Sequence, residues 1–423
     1  MSTTTRTVLL AVAVLGALAA PSAASADAVT DWNTTLIDAQ TIAAVPGPPG
    51  TRQAAIVEAS VFDAVNGIRP RFTFVHVRPA GPRFASRDAA AVAAAHEALR
   101  LLLPAQAPLF DARYAASLAT LHGSARSIDA GLEWGTHVAD EIAAWRANDG
   151  SAAVLPPYVI GTDPGDWQPT PPAFVLTPAF RTAGVTQPFG LLSPSQFRPP
   201  GPPALTSPRY AAAFNEVKEF GSLNSTVRSP AQTQTALFWA SDSPTALWNR
   251  VAQQLLRRHH ASLLGEARVL ALLNMAQCDG AIGVWEAKNF YDTWRPITAI
   301  RAAAGDGNPA TSPDPAWQPL IVTPPFQEYP SGHAGVSSAG AGILAGFFGA
   351  RTSFFLTSPA FPGEERHFTR FAAALNDVAD ARTFAGIHFR TASVDAIALG
   401  QHVAHFLRRT MLRPRDGHRH RRH

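Results

Sequence analysis

The chain has 423 residues, of which 46% are hydrophobic and 16% charged, with a formal net charge of +4. That length supplies a sizeable core for one large or two moderate domains, and the single cysteine, Cys278, means that packing rather than disulfides must hold it. The positive balance resides in the end of the chain, where Arg413, Arg415, Arg419, Arg421 and Arg422 mix with His418, His420 and His423. Without a basic stripe interleaved with aromatics, this argues against nucleic-acid binding and marks residues 411–423 as a basic, disordered tail.

In chain order, Arg6, an apolar run from Val8 to Ala20 and the small residues Ala24-Ser25-Ala26 have the form of an export signal over residues 1–26, which implies a secreted protein. No later stretch reaches eighteen uninterrupted apolar residues, so stable membrane insertion is not expected. Apolar residues at three- and four-residue spacing predict helices over 38–65, 86–103, 108–121 and 127–147. Residues 155–206 lose that period and fill with proline, glycine, threonine and phenylalanine. Phe174, Phe180, Phe189, Leu191 and Phe197 need burial, which predicts an ordered crossing rather than a loose linker. Helical periodicity resumes over 207–220, 229–238, 246–260 and 264–290, and after a Pro/Gly-rich turn region at 303–330 it returns over 331–349, 364–380 and 387–409. Strand alternation and βαβ spacing are missing. The pattern predicts an all-α fold of paired helical bundles with a long Pro/Gly-rich excursion, divided as an N-terminal region 27–206, a catalytic region 207–410 and the tail.

Three blocks carry chemistry. The chain has two lysines, Lys218 and Lys288, against thirty-three arginines, and Lys288 stands seven residues before Arg295-Pro296. That spacing is almost two helical turns, so the two cations would share a face if the helix ran to Trp294, although Asp292 offers Lys288 an ordinary i,i+4 partner. The second block is Pro330-Ser331-Gly332-His333 at the start of a helix rich in small residues. Ser331 is an expected N-cap there, the nearby N–H groups favour an anion, and the small residues suggest close helix packing at a pocket floor. In the third block, Arg382 precedes His388 by six, with Gly386 allowing a turn into the last helix, in whose first turn a neutral His388 ring is expected. Three cations, a hydroxyl and two imidazoles suit a tetrahedral oxyanion. Asp242 is a weaker candidate, placed to pair with Arg295 or Arg382.

The order Lys288-x6-Arg295-Pro296, Pro330-Ser331-Gly332-His333 and Ala381-Arg382-x5-His388 resembles the vanadium-dependent haloperoxidases, within the superfamily that also holds the type 2 phosphatidic-acid phosphatases and bacterial acid phosphatases. The resemblance implies vanadate as cofactor, with phosphate as a competing occupant, and hydrogen peroxide with halide or a small organic acceptor as reactants. It implies that Lys288, Arg295 and Arg382 neutralise the anion's oxygens, that Ser331 and the Gly332 N–H donate to them, that His333 moves protons and that His388 is the metal ligand. Phe326 and Trp285 are halide-pocket candidates. Two positions depart from the family pattern: Ala381 stands where it has serine, and Ala392 where the phosphatases have an aspartate that orients the histidine. Asp395 lies three positions further along. The alternatives are a secreted acid or lipid phosphatase acting on phosphomonoesters and a degenerate oxyanion-binding protein.

Overall fold

The computed structural model describes residues 28–78 and 81–415, so the expected leader at 1–26 and most of the basic tail lie outside the described residues. The first helices are α1 (Ala28–Ile42) and α2 (Gly47–Ile68), where the periodicity predicts one helix over 38–65. Pro46 breaks it, held extended at ψ 157° as the N-cap of α2. The threonines that weaken the helical pattern of α1 return their hydroxyls to the preceding turn, Thr34 to the Thr30 carbonyl and Thr35 to that of Asp31, both at 3.0 Å. Then come α3 (Arg87–Leu102), α4 (Ala107–Leu118) and α5 (Ala125–Ala147).

The excursion follows, with one short 3-10 turn at Arg181–Val185. Phe189 and Leu191 are buried and Phe180 and Phe197 half-buried, whereas Phe174 is 56% exposed and contradicts the expectation of burial. One side chain gathers the middle of the excursion: the buried Asp279 carboxylate accepts the backbone N–H groups of Phe189, Gly190 and Leu191 at 2.7, 2.8 and 3.0 Å.

Ser-Pro pairs then start three successive helices, α6 (Pro208–Phe220), α7 (Pro230–Ala240) and α8 (Pro244–Arg258). In each the serine hydroxyl accepts from the third backbone N–H while proline takes a position that needs no donor. The remaining elements are α9 (Leu263–Tyr291), α10 (Pro296–Arg301), α11 (Gly332–Phe348), the hairpin strands β1 (Phe354–Leu356) and β2 (Arg366–Phe368), α12 (Phe371–Phe384) and α13 (Arg390–Thr410). The expected helix at 364–380 therefore starts seven residues late. Its first residues pair instead with β1 in antiparallel register, Phe354 opposite Phe368.

One hydrophobic core runs from Val29 through Phe189 and Phe238 to Leu412, so it crosses residue 206 without a break. Among the described residues no helix is long and apolar enough to cross a membrane. The small residues of α11 let it lie directly against α9 and α13. A Cβ on Gly335 would sit 2.6 Å from Val284, and one on Gly400 would sit 2.4 Å from the Gly335 carbonyl. This contact brings the ends of α9, α11 and α12 and the start of α13 to one place.

Candidate active site

Lys288 lies in the last turn of α9, wholly buried. The helix does not continue to Trp294: Asp292 closes it in the left-handed conformation (φ 48°), and Arg295 is the extended N-cap of α10. The two cations therefore meet through a turn rather than along one helical face. Asp292 is not the partner of Lys288 either, because its carboxylate accepts from the Tyr158 hydroxyl and from Gln327 Nε2 at 2.8 Å. Lys288 Nζ donates to the carbonyls of Gln327 and Glu328 at 2.6 and 3.0 Å, and Arg295 Nε to that of Phe326 at 2.6 Å. The segment before Ser331 is thus clamped by both cations.

Ser331 occupies the N-cap of α11 but makes no capping bond, and its buried Oγ is unpartnered. Gly332 and His333 open the helix, and Arg382 reaches in from the last turn of α12 with Nε and Nη1 buried and unpartnered. Gly386 then turns the chain at φ 77°, where a Cβ would lie 2.4 Å from the Gly221 carbonyl, so glycine is required on both counts. His388 falls two residues before α13 rather than within its first turn. Its Nε2 lies 3.2 Å from Arg295 Nη1, and its Nδ1 lies 3.0 Å from Glu328 Oε1. The same carboxylate oxygen accepts the Phe389 N–H at 2.9 Å.

Burial sets the electrostatics. Desolvation presses Arg295 down to about 9 and Arg382 to about 10, values at which both remain charged at neutral pH. Lys288 falls well below its ordinary value by burial and by the neighbouring guanidiniums. His388 is lowered for the same reasons, with burial first and then Arg295 and Lys288, so the ring is neutral, as expected from the sequence but not by a helix field. Burial pushes Glu328 up to about 7 against the pull of Lys288 and Arg295. His333 is lowered by burial and by Arg382, and it donates to the main-chain carbonyl of Asp242. Its other ring nitrogen therefore keeps a lone pair.

The Asp242 carboxylate pairs with Arg250 and caps the Ser243 N–H at 2.7 Å, which corrects the expected pairing with Arg295 or Arg382. Asp242, Ser243, Pro46 and Gly47 line a cavity of about 340 Å³ that His333 also faces. The N-terminal helices thus form one wall of the approach to His333. On the other side, Trp285 and Phe326 stand 5.3 Å apart by ring centroid, with Lys288 Nζ 5.7 and 5.2 Å from their centres. Phe180 joins them at 6.1 Å from Trp285 and 6.0 Å from Phe326, on a backbone strained to φ 63°. Sequence reasoning missed Phe180 as a site residue, since it stands alone in the excursion. It also missed Glu328, although an acid two residues before Pro330 is visible in the Gln-Glu-Tyr-Pro-Ser-Gly-His run.

The unpartnered groups facing this place are Ser331 Oγ, Arg295 Nη2, and Arg382 Nε and Nη1. All of them donate hydrogen bonds. With Lys288 beside them and one carboxylate nearby, they form a surplus of buried positive charge that a multivalent oxyanion neutralises. Fold and site together describe a helical protein whose buried donors and neutral histidine suit an oxyanion.

Comparison with known proteins narrows this class. Residues 268–417 match the model of the second helical-bundle domain of VCPO, vanadium chloroperoxidase. A vanadium chloroperoxidase from Curvularia inaequalis is 30% identical over 155 residues, which is 31% of this chain and 25% of that protein, so the match spans about a quarter of the relative's length. The crystal structure of a bacterial vanadium-dependent iodoperoxidase superposes with a TM-score of 0.79 at 25% identity, covering 92% of this chain and 97% of that one. A holo-type bacterial vanadium-dependent chloroperoxidase shares the fold at a TM-score of 0.67 and 18% identity, over 86% of this chain and 93% of its own. Residues 268–417 therefore resemble the second bundle of vanadium chloroperoxidase, and the fold as a whole resembles that of the vanadium-dependent iodoperoxidase.

Proposed function

We propose that this protein binds vanadate in the cradle of Lys288, Arg295, Ser331, Gly332, Arg382 and His388 and uses it to oxidise halide with hydrogen peroxide. Halide, peroxide and one proton give hypohalous acid and water. The observation that carries the reading is the set of buried, unpartnered donors around a neutral His388. Vanadate, when bound, supplies a Lewis acid that activates peroxide for oxygen transfer without itself changing oxidation state. His388 would hold it through Nε2. The guanidiniums, Lys288, the Ser331 hydroxyl and the Gly332 N–H neutralise and orient the oxygens. His333, neutral and with one nitrogen free, would accept and return a proton at the reacting peroxide oxygens. Trp285 and Phe326, with Phe180, form the apolar wall at which a weakly hydrated halide is placed. Export guided by residues 1–26 belongs to the same reading.

Phosphate has the same shape and charge and competes for the same donors. The Glu328–His388 pair specifically favours a second reading, because it would equally orient a nucleophilic histidine in a phosphomonoesterase and so meets the objection raised by Ala392. One experiment separates the two. Purified protein incubated with orthovanadate in phosphate-free buffer should oxidise bromide with hydrogen peroxide, and phosphate should inhibit the reconstitution. Hydrolysis of p-nitrophenyl phosphate by the vanadate-free protein, with no peroxide-dependent bromide oxidation after loading, would establish the phosphatase instead.

A further inference from the structure

We propose that Glu328 is the positioning residue for His388, supplying from the segment before Ser331 the carboxylate that the resembled pattern places four residues after the histidine. The proposal rests on the vanadate reading of the site and adds to it the residue that makes Nε2 a ligand. At the expected position stands Ala392, which is buried and offers only its carbonyl, an acceptor for the Ser331 N–H at 3.1 Å. Asp395 is committed elsewhere, accepting from the Tyr329 hydroxyl at 2.7 Å and facing Arg209 at 3.7 Å. Glu328 is 2% exposed, and its Oε1 takes both the His388 ring at 3.0 Å and the Phe389 backbone N–H at 2.9 Å. One oxygen thereby fixes the ring and the peptide that follows it.

The chemistry follows from which nitrogen carries the proton. A carboxylate can only accept, so Nδ1 must donate to it, and the lone pair of the neutral ring is left on Nε2. Nε2 is the nitrogen directed toward Arg295 Nη1, inside the cradle. Glu328 is itself held by one of the cradle's cations, with its carbonyl taken by Lys288 Nζ at 3.0 Å, and its N–H donates to the Thr293 carbonyl at 3.0 Å. A residue that neutralises the anion's oxygens therefore also places the carboxylate that aims the ligand.

This role has a signature that a mere counter-charge would not give. Removing a negative charge from a cationic pocket tightens every anion alike. Removing a positioning carboxylate weakens only the anion that takes a bond from Nε2, which is vanadate, while resting phosphate needs only charge and hydrogen bonds. Equilibrium titration of the full-length protein with orthovanadate and, separately, with inorganic phosphate should show a fall of about 10–100-fold in the vanadate-to-phosphate affinity ratio for Glu328→Ala. The near-isosteric Glu328→Gln guards against a folding failure and should lower the same ratio by less. In parallel, ¹⁵N spectra of His388 should show Nδ1–H in the wild type and lose that preference in Glu328→Ala. An unchanged ratio in both variants, or equal tightening of both anions, would overturn the proposal. A wild type that does not prefer vanadate to phosphate would instead count against the vanadate reading, and the ¹⁵N tautomer would then decide the role of Glu328 alone.

Discussion

Glu58 in α2 and Glu328 before α11 are both buried carboxylates, and their surroundings are opposite. Around Glu58 the neighbours are amides that close on one another. Asn33 donates to Glu58 and to Asn249 at 2.8 Å each, Asn249 and Asn274 exchange bonds at 2.8 and 2.9 Å, and Gln253 donates to Asn33 at 2.6 Å. What remains over is an acceptor, Glu58 Oε2. Around Glu328 the neighbours are cations and His388, and Arg295 and Arg382 keep unpartnered donors. A polar network whose bonds are spent on itself locks α1, α2, α8 and α9 together, whereas one left with convergent donors of one charge sign is built for an anion.

Substitutions can break this contrast on either side. The largest expected effect is on turnover: His333→Ala should retain anion binding and lose about 10²–10⁴-fold in halide oxidation rate, because it removes the proton carrier and none of the cradle's charges. Strong loss of vanadate binding in that variant would move His333 into the cradle itself. Arg382→Met should weaken phosphate and vanadate roughly 100-fold, the equivalent of two charge-assisted hydrogen bonds at about 1.5 kcal/mol each. The same variant should melt higher than wild type in anion-free buffer, since it removes a buried charge whose Nε and Nη1 have no partner. A lower melting temperature would show that Arg382 holds the fold together.

On the amide side the effects should fall on stability. Asn249→Ala orphans groups on both Asn33 and Asn274 and should cost about 3 kcal/mol in denaturant unfolding, while leaving phosphate affinity unchanged in the folded protein. The smallest effect concerns pH. Burial raises Glu58 from 4.5 to about 7, so its stabilising contribution is full below the unfolded value and is lost as pH rises through about 7. Glu58→Gln should flatten that loss, gaining on the order of 1 kcal/mol or more over wild type above pH 7 and little near pH 4. Parallel stability profiles for the two proteins would place the titrating group elsewhere.

The helices and the three cationic blocks were legible in the sequence because each is a local pattern. Apolar spacing marks α3, α5 and α9, and the Lys288, Pro330-Ser331-Gly332-His333 and Arg382 runs carry their residue types in plain order. Pro46 splits the helix expected over 38–65 because proline cannot continue a helix interior. What escaped the sequence depends on contacts between distant segments. The β1–β2 hairpin exists because Phe354 and Phe368 meet across fourteen residues of chain, and the end of α9 at Asp292 depends on a left-handed cap that nothing short of the fold announces. Glu328 and Phe180 belong to the site only because Lys288 and Arg295 clamp one segment and the excursion folds back on the other. Asp242 shows the reverse case: its side chain is taken by Arg250, while its backbone carbonyl, invisible to residue-type reasoning, is what touches His333.

The central claim is that the convergent donors and His388 form one vanadate site, and vanadium stoichiometry after dialysis tests it most directly. Wild-type protein equilibrated with orthovanadate in phosphate-free buffer and then dialysed should retain about one vanadium per chain and release it to added phosphate. His388→Ala keeps the cationic cradle and loses the bond to the metal. It should therefore lose the retained vanadium during dialysis while still binding phosphate. Retention by His388→Ala equal to that of wild type, or no saturable uptake by the wild type, would contradict the account.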